Sequence, residues 1–176
     1  MPPYENHNFH QFHPHHQVTG GAQGLGYAIA DRLASDGYKV VLVDVNEKKL
    51  AEAQAEITSK VGKNRVSFVA VDVTKEDDIY AAVKSVVAAH GRIDVLVQAA
   101  GIVGKTGIKT HEVSEDNFNL VININLKGIF LMCKAVLPHM VEQKFGRIIN
   151  IASVAGVHLQ FKNSRYLDNQ PVVVIS

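Results

Sequence analysis

The eight residues TGGAQGLG, positions 19 to 26, set glycines at 20, 24 and 26 ahead of a stripe formed by Leu25, Ile29 and Leu33. Glycines so spaced let a chain turn sharply from a strand into a helix. They also bring bare backbone close to a diphosphate, whose charge then meets the free N–H groups of the helix start. Asp44 stands eighteen residues beyond Gly26, at the end of the next β-branched run. A carboxylate there can accept from both hydroxyls of an adenosine ribose, and it repels the phosphate that NADP carries at that ribose. The chemistry implied is dinucleotide binding, with NAD favoured over NADP. Two further polar residues are candidates for work on a substrate. Ser153 closes RIINIAS, at the strand end where ligands bind in open α/β sheets; its plain alternative is a serine that starts a turn. Asn125 stands among Ile124, Leu126 and Ile129, where a buried amide without partners is costly. A functional role and a helix-bending role both account for it.

Such residues need a scaffold, and residues 18 to 153 alternate between two periods. KVVLVD (39 to 44), RVSFVAVD (65 to 72), IDVLVQ (93 to 98) and RIINIAS (147 to 153) read as strands apolar on both faces. Between them, residues 47 to 61 put Leu50, Ala53, Ile57 and Val61 on one helical stripe, and residues 75 to 90 do the same with Ile79, Val83, Val86 and Val87. Thr74 followed by Asp77 reads as a side-chain cap for the second of these helices. Ser114 opens a helical region to about Gln143 that is apolar on more than one face, so it is expected to be covered by the sheet and by a second subunit. Strand and helix in alternation predict the α/β class, a doubly wound Rossmann-type parallel sheet with helices on both faces.

Composition narrows the partners. A chain of 176 residues with 47% hydrophobic and 20% charged content suits one soluble globular domain. The formal net charge of +1, with both signs interspersed, gives no basic field for nucleic acid or an anionic membrane. The apolar runs read as shorter than a membrane span, and MPPYENHNFHQFHPHHQ has neither the basic start nor the apolar core of a signal peptide, which predicts a cytoplasmic protein. Cys133, the single cysteine, lies in GIFLMCKAVL and reads as a small buried hydrophobe.

Both ends depart from this pattern. Residues 1 to 17 hold five of the nine histidines (7, 10, 13, 15 and 16) and read as a disordered tail with adventitious affinity for a soft divalent metal; no built metal site is expected. The remaining histidines, at 90, 111, 139 and 158, read as unclustered surface residues. Pro14 argues against a full central strand ahead of the glycine turn, leaving Gln17 to Thr19 to pair. Residues 154 to 176 show no helix period and read as an irregular tail after a dinucleotide-binding domain of residues 18 to 153.

In their order these motifs resemble the short-chain dehydrogenase/reductase family, in particular its 3-oxoacyl reductase-like and sugar or alcohol dehydrogenase members, over residues 18 to about 157. TGGAQGLG is similar to the family's Thr-Gly-x-x-x-Gly-x-Gly turn, which assigns Gly20, Gln23, Gly24, Leu25 and Gly26 to the cofactor. VDV (71 to 73) resembles the segment whose Asp, here Asp72, meets the adenine amino group while the next residue, Val73, packs on the ring. QAAG assigns Gln98, Ala99, Ala100 and Gly101 to the cofactor, with Gln98 one methylene longer than the family's Asn. INLKGIF and NIASVAG place Asn125 and Ser153 at the family's active-site Asn and Ser. Tyr166 follows Ser153 by thirteen residues, a spacing the family uses for its catalytic Tyr, but Gln170 stands where the family has Lys.

The resemblance implies reversible hydride transfer between a nicotinamide cofactor and a small carbonyl or alcohol substrate. In the family the Ser holds the substrate oxygen and the Tyr supplies the proton. The Lys tunes the Tyr and binds the nicotinamide ribose, and the Asn holds the water that links this Lys to solvent. With Gln170 for Lys, and with the chain shortened after Ser153 and altered before Val18 relative to the family, activity is expected to be impaired. The alternatives are a catalytically silent dinucleotide-binding fragment or partner-binding module, and a chain altered at both ends by its coding sequence. Lys105, Thr106 and His111 are expected to flank the cleft without naming a compound.

Overall fold

The computed structural model describes residues 14–153 of the chain. Five parallel strands, β1 (His15–Thr19), β2 (Lys39–Asp44), β3 (Val66–Ala70), β4 (Val95–Gln98) and β5 (Arg147–Asn150), form one sheet in the order β3-β2-β1-β4-β5. The period-two side-chain alternation is used on both faces, because both are covered. Val40, Leu42, Val18 and Val97 face α1 (Gly24–Ser35) and α2 (Glu47–Val61). Val41, Val43 and Leu96 face α3 (Glu76–His90) and α5 (Ile129–Glu142). Leu50 and Ile57 of α2 are fully buried, each worth about 2–3 kcal/mol against exposure.

Helix boundaries follow local chemistry. The Asn46 side chain accepts from the Lys49 N–H at 3.0 Å and so caps α2, while Gly62, at φ +88°, follows its end. The Thr74 cap is corrected: α3 begins at Glu76 without a side-chain cap, and the Thr74 hydroxyl donates instead to Asp72 Oδ1 at 2.7 Å. Three acids in the first turn, Glu76, Asp77 and Asp78, complement the helix dipole there.

β1 departs from expectation. It is central and five residues long, and it pairs with β2 from His15 and with β4 from His16. Pro14 stands just before its first residue, where a missing N–H removes no ladder bond. The His15 N–H donates to Asp94 Oδ2 at 2.9 Å, and Asp94 is fully buried against the Arg92 guanidinium. This anchored start gives His15 and His16 backbone partners whatever their side chains prefer.

The region after Ser114 is not one regular helix. Ser114 caps α4 (Glu115–Ile122), a π-helical segment follows at Asn123–Gly128, and α5 continues from it. By length and composition the stretch Glu115–Glu142 is long enough to cross a membrane, which the expectation from short apolar runs passed over. Leu131, Met132, Val136 and Met140 are buried in the core beside α3, the placement of a core helix. Its other face leaves Phe118, Phe130, Leu137 and Val141 exposed.

Candidate functional site

The chain leaves β1 for β2 on one side and reaches β4 on the other, so the sheet has its switch point between β1 and β4. A cleft of about 570 Å³ opens at the C-terminal ends of these strands, the position at which open α/β sheets bind ligands. It brings together Gly20, Gln23, Gly24, Leu25, Gly26, Asp44, Asp72, Val73, Ala99, Ala100 and Gly101.

The glycines are needed for close approach. A Cβ on Gly20, whose φ is +67°, would stand 2.7 Å from the Ala99 carbonyl oxygen, and one on Gly26 would overlap the Gly20 carbonyl. The first turn of α1 holds no acidic residue, and its N-cap Gln23 makes no side-chain cap bond. Its free N–H groups are therefore open to an anion from outside the helix.

Thr19 was not among the expected site residues. Its hydroxyl accepts from the N–H groups of Ala99 at 3.2 Å and Ala100 at 3.1 Å, stapling the end of β1 to the end of β4. The available signal was a polar β-branched residue immediately before the glycine turn. Leu120 and Ile124 add an apolar wall from α4 and the π-helical segment, also unassigned by the motifs.

Asp44 is half-buried. Its Oδ2 accepts from the Ala22 N–H at 3.4 Å and its Oδ1 from the Asn46 N–H at 3.1 Å. A carboxylate offers about four lone-pair directions, so acceptor capacity remains toward the cleft. Asp72 accepts from the hydroxyl and the N–H of Thr74, chiefly the hydroxyl, and these bonds hold its carboxyl below the usual range. Val73 is packed against Gly128, where a Cβ would stand 3.1 Å from the Val73 carbonyl oxygen.

Asn125 lies in the π-helical segment and closes a reciprocal pair. Its Nδ2 donates to the Ile102 carbonyl at 2.8 Å and its Oδ1 accepts from the Ile102 N–H at 2.9 Å. The wider turn delivers this amide to the loop after β4, which fixes the backbone beside Gly101. Gln98 is not brought to the cleft. It is buried behind the wall, and its Nε2 donates to the Ile129 carbonyl, Asn150 Oδ1 and Cys133 Sγ at 3.1–3.2 Å. Burial pushes the Cys133 thiol up, which favours its protonated form. Ser153 is exposed, three residues beyond the end of β5. Lys105, Thr106 and His111 are absent from the cleft lining. Tyr166, Gln170 and the rest of residues 154 to 176 lie outside the described residues, as do 1 to 13.

A doubly wound parallel sheet with a glycine turn and an acidic β2 end at its switch point defines a Rossmann-type α/β domain. The chain belongs to the short chain dehydrogenase family, whose pattern matches residues 15–167. It is 44% identical over 139 residues to 2-dehydro-3-deoxy-L-rhamnonate dehydrogenase (NAD(+)) of Sphingomonas sp. strain SKA58, covering 79% of this chain and 53% of that protein. It is 37% identical to the 3-oxoacyl-(acyl-carrier-protein) reductase FabG of Chlamydia muridarum, covering 80% and 55%. Among solved structures, an NAD+-bound xylitol dehydrogenase superposes with a TM-score of 0.79 at 35% identity, over 88% of this chain and 58% of that one. A metagenomic short-chain oxidoreductase in complex with NADP gives 0.75 at 38% identity, over 81% and 63%. The chain thus spans a little over half the length of the curated relatives it matches.

Proposed function

We propose that this chain is the dinucleotide-binding part of an NAD-dependent oxidoreductase that interconverts a small carbonyl compound and its alcohol. The observation that carries the reading is the Asp44 carboxylate beside the glycine turn, lining the same cleft as Gly20, Gly24 and Gly26. The residues present fit the group: bare backbone at the turn, open N–H groups on α1, acceptor capacity on Asp44 and an apolar wall at Val73 and Ile124. When bound, a nicotinamide dinucleotide would supply the hydride acceptor or donor. Gly20, Gln23, Gly24, Leu25 and Gly26 would hold its diphosphate, Asp44 its adenosine ribose, Asp72 and Val73 its adenine, and Ala99, Ala100 and Gly101 the wall beyond.

The chain's own residues have narrower tasks. Ser153, beyond β5 on the ligand-binding edge, is proposed to donate to the substrate oxygen, which gains negative charge in the reduction and needs a donor already in place. Tyr166 is proposed as the proton donor. An isolated Tyr titrates near pH 10, so without a neighbouring cation it is a poor acid–base group at neutral pH, and Gln170 supplies no charge. That favours a second reading, a chain that binds dinucleotide with little turnover. Asn125, committed to Ile102 through both ends of its amide, is proposed to fix the cleft wall.

Fluorescence titration tests the cofactor assignment: NADH is expected to bind more tightly than NADPH, with Asp44→Ala narrowing the gap. Equal affinities in the unmodified chain would overturn it. The NAD(+) in the name of the Sphingomonas relative and the NAD+-bound xylitol dehydrogenase support this preference, and the NADP complex of the metagenomic oxidoreductase counts against it. Dehydrogenase turnover is expected near background; robust NADH oxidation lost in Tyr166→Phe would remove the low-turnover reading. A cytoplasmic setting and self-association through the exposed apolar face of α4 and α5 belong to the same proposal.

A further inference from the structure

A second cavity, of about 460 Å³, lies at the opposite edge of the sheet, where β2 and β3 begin. Its charged lining is of one sign. Lys39 opens β2, and Lys63 and Arg65 stand in the connection from α2 to β3; His90, which ends α3, adds a ring whose burial favours its neutral form. Among the described residues no Asp or Glu lines it. Lys39, Lys63 and Arg65 enter no ion pair within the described residues, so no carboxylate there neutralises them. Like charges gathered at one cavity without counter-charges raise its potential and attract anions.

Of the three cations Arg65 is held in place, while Lys39 and Lys63 are exposed at the rim. Arg65 is half-buried, and its guanidinium lies 3.0 Å from where a Cβ of Gly37 would stand; Gly37, at φ +99°, leaves that room. Elsewhere in the lining, the His90 ring lies 3.4 Å from the Ser67 hydroxyl through Nε2 and 5.1 Å from the ring of His15, between centroids. The plain explanation is that basic residues offset the C-terminal carbonyls of α2 and α3. Two helix ends carry about half a negative charge each, which cancels roughly one of the three cations. About two remain.

We propose that this cavity binds a small phosphorylated metabolite, its phosphate dianion held by Lys39, Lys63 and Arg65, at a site separate from the dinucleotide cleft. Three cations lining one cavity suit a dianion better than a single carboxylate, since Arg offers a planar pair of N–H donors and each Lys a point charge. The volume exceeds what a bare phosphate fills and lies in the range of small-molecule sites. The Thr58 and Ser67 hydroxyls in the lining can serve a polar body attached to the phosphate.

Titration calorimetry of the full chain at fixed ionic strength tests this, with glucose 6-phosphate, glucose and inorganic phosphate as probes and NADH as control. Glucose 6-phosphate is expected to bind, glucose to give no heat, and inorganic phosphate to bind at least about tenfold more weakly, a 1.4 kcal/mol difference. The double variant Lys39→Gln/Arg65→Gln is expected to lose glucose 6-phosphate binding while keeping its affinity for NADH. NMR of the unmodified chain is expected to shift the Ser67 amide and the His90 ring on adding glucose 6-phosphate, a readout that does not depend on the variant folding. Equal binding of inorganic phosphate would mean an adventitious ion only and overturn the proposal. So would unchanged binding in the folded double variant, binding that NADH displaces, or no shift at Ser67 and His90.

Discussion

At its C-terminal end β1 presents Thr19, whose hydroxyl accepts from two N–H groups of the loop after β4. Over its first three residues, in the same strand and the same ladder, His15 Nδ1, both ring nitrogens of His16 and both amide atoms of Gln17 are buried without a hydrogen-bond partner among the described residues. Gln17 sits between Val41 and Leu96 on the face covered by α3 and α5, and the His16 ring stacks on Tyr38 with centroids 4.7 Å apart. The strand therefore holds through its backbone, and its side chains divide it. Polar groups at the ligand edge are paired across the sheet, whereas those at the far edge cost stability, typically about 1–3 kcal/mol for each unmet buried group. Backbone pairing is indifferent to side-chain type, which is why a central strand can begin with two histidines and a glutamine.

Breaking the well-made end has the largest expected effect. Gly26→Ala drives a methyl into the Gly20 carbonyl, with no flexible side chain to yield; a loss of about 3 kcal/mol is expected, read from urea midpoints, with NADH binding abolished. Wild-type binding in this variant would mean that the turn is not the diphosphate site.

Acid should act on the other end. Burial holds the imidazoles of His15, His16 and His90 below their ordinary value of about 6.5. The unfolded chain then takes up protons at a pH where the folded chain does not. Stability is full above that value and falls as pH drops below it. Thermal unfolding between pH 8 and pH 5 is expected to show this decline, and His15→Val/His16→Val is expected to flatten it. An equal slope in the double variant would place the acid sensitivity elsewhere.

Repair of the weak end comes next. Gln17→Val removes an unpaired amide and supplies the β-branched residue that a strand covered on both faces accepts, so the urea midpoint is expected to rise by the equivalent of about 1–2 kcal/mol. A fall would show that the amide is satisfied after all. The smallest effect is expected from Thr19→Ser, which keeps the acceptor for Ala99 and Ala100 and changes stability by less than about 1 kcal/mol, whereas Thr19→Val should cost more.

What the sequence determined by itself is what short-range pattern encodes. β2 spans the run KVVLVD as expected, α2 spans Glu47–Val61, and Ser114 caps the helix it was expected to open. Alternating periods were enough for the α/β class, and the glycine turn with Asp44 was enough to choose the edge of the sheet, because each signal lies within one element or one turn. Tertiary structure decided the rest. Thr19 meets residues 80 and 81 positions away, Gln98 turns toward Asn150, 52 positions away, and Asn125 reaches Ile102 through a π-helical turn that apolar periodicity does not mark. His90, read as an isolated surface residue, lies against His15 because β1 begins two residues earlier than the Gln17 start expected from Pro14. The physical reason is common to all four. Whether a polar side chain pairs, binds or is stranded depends on which distant backbone the sheet register and helix packing bring beside it, and no local period carries that register.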